Sequence, residues 1–126
     1  MLTKEQVLEL FEEKLKKDFH IKLLSLNTID GFNIQQHSQL AKTVESDKVS
    51  AICSSLFSLS KAGSMQILNG NLRSTLVETD TGHLLLRHLL YEEKDCVLAV
   101  VTDKKMTLGE SNFVLTDCAK KISGLT

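Results

Sequence analysis

Proline is absent from all 126 residues, tryptophan is absent too, and aromatic side chains amount to only 5%. Helix ends must therefore be set by polar caps and glycine, and there are too few rings for the base-stacking platforms of single-strand binders. An excess of basic charge is missing too: the formal net charge is −1, and lysines cluster no further than Lys16 with Lys17, Lys104 with Lys105 and Lys120 with Lys121. A nucleic-acid partner needs a denser positive footprint, so none is expected. No apolar run approaches the roughly 18 residues of a membrane span, and no membrane insertion is expected. The opening stretch from Met1 to Lys14 lacks the basic-then-apolar order of a secretory signal, which points to a cytoplasmic protein.

The signatures of chemistry are missing as well. Gly63, Gly70, Gly82 and Gly109 stand alone, outside any phosphate-binding glycine pattern, and no serine sits in G-x-S-x-G. Cys53, Cys96 and Cys118 form an odd set without C-x-x-C, as buried thiols of a reducing compartment do. His20, His37, His83 and His88 have no zinc-ligand spacing, and His83 and His88 lie an odd number of positions apart, which sends them to opposite faces of one strand. A His88 and Cys96 dyad would need a reactive thiol in a run that reads as buried on both faces, where a thiol keeps its proton. No catalytic residue, cofactor or metal site is expected, and the chain is not expected to be an enzyme.

What is present is an ordinary globular composition, 42% hydrophobic and 25% charged, over a length that fits one domain, residues 1–126. Thr3 and Gln6 form a capping box that opens an amphipathic helix to about Lys17. Ile21 to Leu26 and Phe32 to His37 read as strands joined by a turn at Asp30-Gly31. A helix follows with Asp47 as its expected N-cap. Leu72 to Thr79 and His83 to Leu90 pair across Asp80-Thr81-Gly82, with Gly82 expected in a left-handed turn position, and Tyr91 to Asp95 reads as a charged loop. Cys96 to Val101 is uninterrupted and apolar, which predicts a central strand, whereas Leu72 to Thr79 alternates with polar residues as an edge strand does. Thr107 and Glu110 cap a last helix whose Leu108, Val114, Leu115, Cys118 and Ile122 should face inward. The order αββαβββα predicts an α+β fold, a single five-stranded antiparallel sheet with one helix on one face and two on the other.

The middle helix is the unusual element, because Asp47 to Ala62 carries no charge between Lys48 and Lys61. Val49, Ile52, Cys53, Leu56, Leu59 and Gly63 share one side and are expected to face the core. The other side holds Ala51, Ser54, Ser55, Ser58 and Ala62, flanked by Phe57 and Met65. Small neutral residues where water would favour lysine and glutamate fit a helix covered by a partner. A helix buried inside its own domain, or a serine face that meets water, fits the same residues.

From Leu72 to Ile122, the chain resembles the Roadblock family of dynein-light-chain-like domains in Arg73, Val77-Glu78, Gly82, the LLLR and VLAVV strands, and Leu108-Gly109 opening the last helix. The long N-terminal helix is more similar to the stand-alone bacterial members. The resemblance implies a non-enzymatic dimer in which the middle helices pack together and the third strands join edge to edge. Carried onto this sequence, the dimer interface would be Ala51, Ser54, Ser55, Phe57, Ser58 and Ala62 with Leu72, Ser74, Leu76 and Glu78. The partner would be a second copy (a homodimer) or a sister Roadblock subunit, and the module would be a scaffold or regulator for a small Ras-like GTPase or a larger assembly. Arg73, Arg87, Glu92, Glu93 and Lys94 are the exposed candidates for partner contact. The rival from another class is a small-molecule-binding sensor domain, which needs an apolar pocket with a few converging polar groups.

Overall fold

The computed structural model describes residues 1–124. In chain order the elements are α1 (Lys4–Lys17), β1 (Ile21–Thr28), β2 (Asn33–Ser38), α2 (Ser46–Gln66), β3 (Ser74–Glu78), β4 (Gly82–Tyr91), β5 (Lys94–Asp103) and α3 (Leu108–Ser123). The strands form a five-stranded antiparallel sheet in the order β2-β1-β5-β4-β3. Both capping boxes form as expected, Thr3 with Gln6 and Thr107 with Glu110, each satisfying backbone donors that a helix start leaves free.

The α+β sandwich follows from how the strands alternate. Along β5, Cys96, Leu98 and Val100 point into one core with Leu24 and Leu26 of β1, where Val7, Phe11 and Leu15 of α1 and Leu115, Cys118 and Ile122 of α3 cover them. Val97 and Ala99 point the other way, joining Leu86, Cys53 and Phe57 beneath α2. β5 is therefore central and dry on both faces, as its uninterrupted run predicts. At the other extreme β3 is an edge strand with an alternating burial pattern.

Four local expectations need correction. Tyr91 to Asp95 is no loop: β4 and β5 meet at a tight turn, and Glu92 and Glu93 take it with φ of 51° and 64°. Gly82 is not left-handed but opens β4, where a Cβ would collide with the Thr102 carbonyl oxygen of β5. Asp47 lies in the first turn of α2, and the N-cap is Glu45 without a side-chain cap bond. Leu108, the first residue of α3, is 42% exposed and does not face inward.

Candidate functional site

The site is built from α2 and the strand that follows it. Cys53 and Phe57 of α2 are each 2% exposed, and Ser50 and Ser64 are buried with them, so the inward stripe is Ser50, Cys53, Phe57 and Ser64. Serine can occupy such a stripe because its hydroxyl donates back to the helix: Ser50 Oγ to the Asp47 carbonyl at 3.0 Å and Ser64 Oγ to the Lys61 carbonyl at 2.9 Å. The helix is thus rolled relative to the expected stripe. Ile52 is 47% and Leu59 73% exposed, so neither belongs to the core, while Phe57 does.

The outward face of α2 then reads Ala51, Ile52, Ser55, Ser58, Leu59, Ala62 and Met65, all exposed, with Lys61 at its margin. Ser54 is half-buried above the β1–β2 turn, where Gly31 has φ of 100° and a Cβ would come 3.3 Å from the Ser54 hydroxyl. At the end of the helix Ile67 and Leu68 are 84% and 77% exposed. The pattern 52, 55, 59, 62 is itself a helical stripe, so α2 carries apolar residues on two faces. That signal was in the sequence, but the serines that line the inner stripe hide which face is which.

β3 lies next to this surface. Its hydrogen bonds to β4 run from Ser74↔Arg87 to Glu78↔His83, and no described strand pairs with its other side. Leu76 is 44% exposed, Ser74 and Glu78 are exposed and Leu72 is half-buried against the α2 core. The Thr75 hydroxyl is buried and has no hydrogen-bond partner within the chain. Beneath the N-terminal half of α2 the sheet is polar, since Asn33 Nδ2 donates to Ser25 Oγ at 3.1 Å and to Asn27 Oδ1 at 3.0 Å. Residue types alone do not reveal that network.

Two histidines contact carboxylates at separate places. His20 Nδ1 lies 2.7 Å from Asp103 and His88 Nε2 lies 2.6 Å from Asp95, and the two pairs sit at opposite ends of the sheet. Burial works against the Asp103 carboxylate, but the His20 hydrogen bond and the Lys105 amide outweigh it and hold its pKa below the ordinary value. Burial pushes the thiols of Cys53, Cys96 and Cys118 up to about 11, so all three stay protonated at neutral pH. Among the described residues no group of three or more His, Cys, Asp or Glu could hold a metal ion. No described helix is long and apolar enough to cross a membrane.

With this geometry established, the profile of the Roadblock/LC7 domain matches residues 9–103. The chain belongs to the Roadblock/LC7 family. Two uncharacterised proteins of Methanocaldococcus jannaschii are each 28% identical to this Roadblock domain over 88 residues, which is 70% of the chain and 74% of the relative. Among solved structures, the Roadblock/LC7 domain from Streptomyces avermitilis superposes with a TM-score of 0.76 at 19% identity, covering 91% of this chain and 92% of that one. The gliding protein MglB from Thermus thermophilus gives 0.77 at 14% identity, covering 97% and 89%. MglB of Myxococcus xanthus gives 0.77 at 15%, covering 99% and 92%. At these identities the structural likeness speaks for the fold alone, and it agrees with the order αββαβββα.

Proposed function

We propose that this Roadblock domain is a non-enzymatic, two-fold dimeric interaction module of the cytoplasm that serves a small Ras-like GTPase or a larger assembly. The observation that carries the dimer is the outward face of α2, a charge-free stripe of Ile52, Ser55, Leu59 and Ala62 lying beside a strand edge with no partner among the described residues. An exposed apolar stripe of this kind marks an interaction surface, and an isologous two-fold contact covers the same patch on both copies. Ala51, Ser55, Ser58 and Ala62, with Leu72, Ser74, Leu76 and Glu78 on the strand side, make up the interface. Ser54 stands at its border, and Ile52, Leu59 and Met65 replace Phe57. The GTPase partner rests on the family resemblance, and the chain's own lack of a phosphate-binding glycine loop fits a protein that holds a nucleotide-binding partner.

The test is native mass by light scattering over a concentration series, for the parent and for Leu59→Glu. An unpaired carboxylate buried in a helix contact costs about 3–5 kcal/mol, so a parent dimer should become a folded monomer. A parent that is monomeric throughout would reject the dimer. A small-molecule sensor remains the second reading, favoured by a cavity of about 440 Å³ on the α2 side of the sheet whose lining includes Val77, Leu84 and Val101 as well as Lys22 and His83.

A further inference from the structure

That cavity has a more specific occupant. α2 covers the part of its sheet face that holds Val97, Leu86 and His88, and the end of the same face around Leu84 and Val101 stays open. The open end is walled by Leu40 and Phe19 on one side and by Val77, on the edge strand β3, on the other. Meanwhile the segment just past α2 leaves Ile67 and Leu68 more exposed than any other large apolar side chains of the described chain, at 84% and 77%. A cavity lacking apolar filling and an apolar pair lacking cover are present in the same molecule, yet they lie at opposite ends of β3. The Ile67–Leu68 segment leads into β3 at Ser74, whereas the cavity opens beside Val77 and Thr79 at its far end.

A two-fold axis normal to the sheet removes that separation. It pairs β3 with β3 of a second copy in antiparallel fashion, keeps both α2 helices on the same face, and sets the start of one β3 opposite the end of the other. Adjacent strands are about 4.8 Å apart, so the Ile67–Leu68 segment of each copy then borders the cavity of its neighbour. We infer that Ile67 and Leu68 of one copy fill the partner's cavity over Leu84 and Val101, twice per dimer, so that the occupant of this cavity is a second copy of the chain. This rests on the dimer reading and deepens it: the helix faces and strand edges join the two copies, and the reciprocal Ile67–Leu68 contacts lock their register.

The experiment follows methyl resonances of the full chain by NMR as concentration is raised, alongside native mass, for the parent and for the doubly substituted Ile67→Asp, Leu68→Asp chain. Both positions are highly exposed in the single chain, so the variant should fold, and circular dichroism checks that it does. The expected result is that Leu40, Leu84 and Val101 methyls, none of them on α2 or β3, shift as the parent dimerises. The variant should dimerise at least tenfold more weakly, and in whatever dimer remains these methyls should stay at their monomer positions. If the parent dimerises with shifts at Ile52 and Leu59 while Leu40, Leu84 and Val101 stay still, the cavity remains open to another occupant and the inference is overturned with the dimer intact. A parent that never dimerises overturns both.

Discussion

The rings of Phe57 and His88 stack with centroids 6.1 Å apart and planes 21° from parallel, a contact that joins the packing of Cys53 and Phe57 on Leu86, Val97 and Ala99 in seating α2 on the sheet. His88 is held in turn by Asp95 at 2.6 Å, so this aromatic pair ties the helix to the β4–β5 end of the sheet. Phe57→Ala should cost about 3–5 kcal/mol, the usual range for a buried phenylalanine, when measured by urea denaturation at a concentration where the chain is monomeric. Leu59→Ala, two residues along but 73% exposed, should leave that monomer stability within about 0.5 kcal/mol. Equal losses at both positions would contradict the observed roll.

Gly82 stands where β4 meets β5, with the Thr102 carbonyl oxygen in the space a Cβ would occupy. The obstacle is backbone in the middle of a sheet and cannot swing aside as a side chain could. Gly82→Ala should therefore destabilise by about 2 kcal/mol or more, at the upper part of the overpacking range. Gly109→Ala, where a Cβ would meet nothing within 4 Å, is the control and should be neutral or slightly stabilising because alanine favours helix. Thermal melts of the two variants compare them directly.

Lys14 of α1 donates to Asp117 of α3 at 2.7 Å, tying together the two helices on one face of the sheet. The hydrogen bond from Lys14 holds the Asp117 pKa below its ordinary value, with further help from Lys121. A carboxyl with a lowered folded-state pKa adds stability above its unfolded pKa of about 3.9, and loses it as pH falls through the lower folded value. Asp117→Asn should therefore cost about 1 kcal/mol at pH 7, and the gap between variant and parent should close towards pH 2. Denaturation midpoints at the two pH values check the sign.

The three thiols should be silent in the folded chain. With values near 11, only about one in a thousand would be thiolate at pH 8, and burial excludes the reagent besides. Titration with a chromogenic disulfide should find no fast-reacting cysteine under native conditions and three after unfolding in urea. A fast-reacting native thiol would show that one of these packed sites opens readily.

The central strand and one edge strand were legible, though not the full strand order, because apolar patterning reports how many faces of a strand are dry. Cys96 to Val101 lacks any polar break and is central, while Ser74 to Glu78 alternates and is an edge. The roll of α2 was not legible. Ser50 and Ser64 satisfy their hydroxyls on their own helix, which lets polar residues lie inside and frees Ile52 and Leu59 to lie outside. Nor was the β4–β5 turn, since two glutamates with positive φ break the residue preferences from which a turn is read. For the candidate surface, its small residues were visible in the sequence, whereas Leu59, Ile67 and Leu68 needed coordinates.

The order of assembly during synthesis follows from the sheet. β1 lies between β2 and β5, and its pairing with β5 runs from Ile21↔Thr102 to Thr28↔Cys96. A ribosome therefore releases the apolar Leu23 to Leu26 segment long before its central neighbour exists. Until residue 103 has emerged, that strand has α1, β2 and α2 to cover it but lacks its central neighbour, which makes truncated nascent chains the species most exposed to aggregation and to chaperones. Such distant pairing slows closure of the sheet. Once the chain is whole, the absence of proline removes the prolyl isomerisation that delays many domains for tens of seconds. Refolding of the full chain should therefore finish without that slow phase.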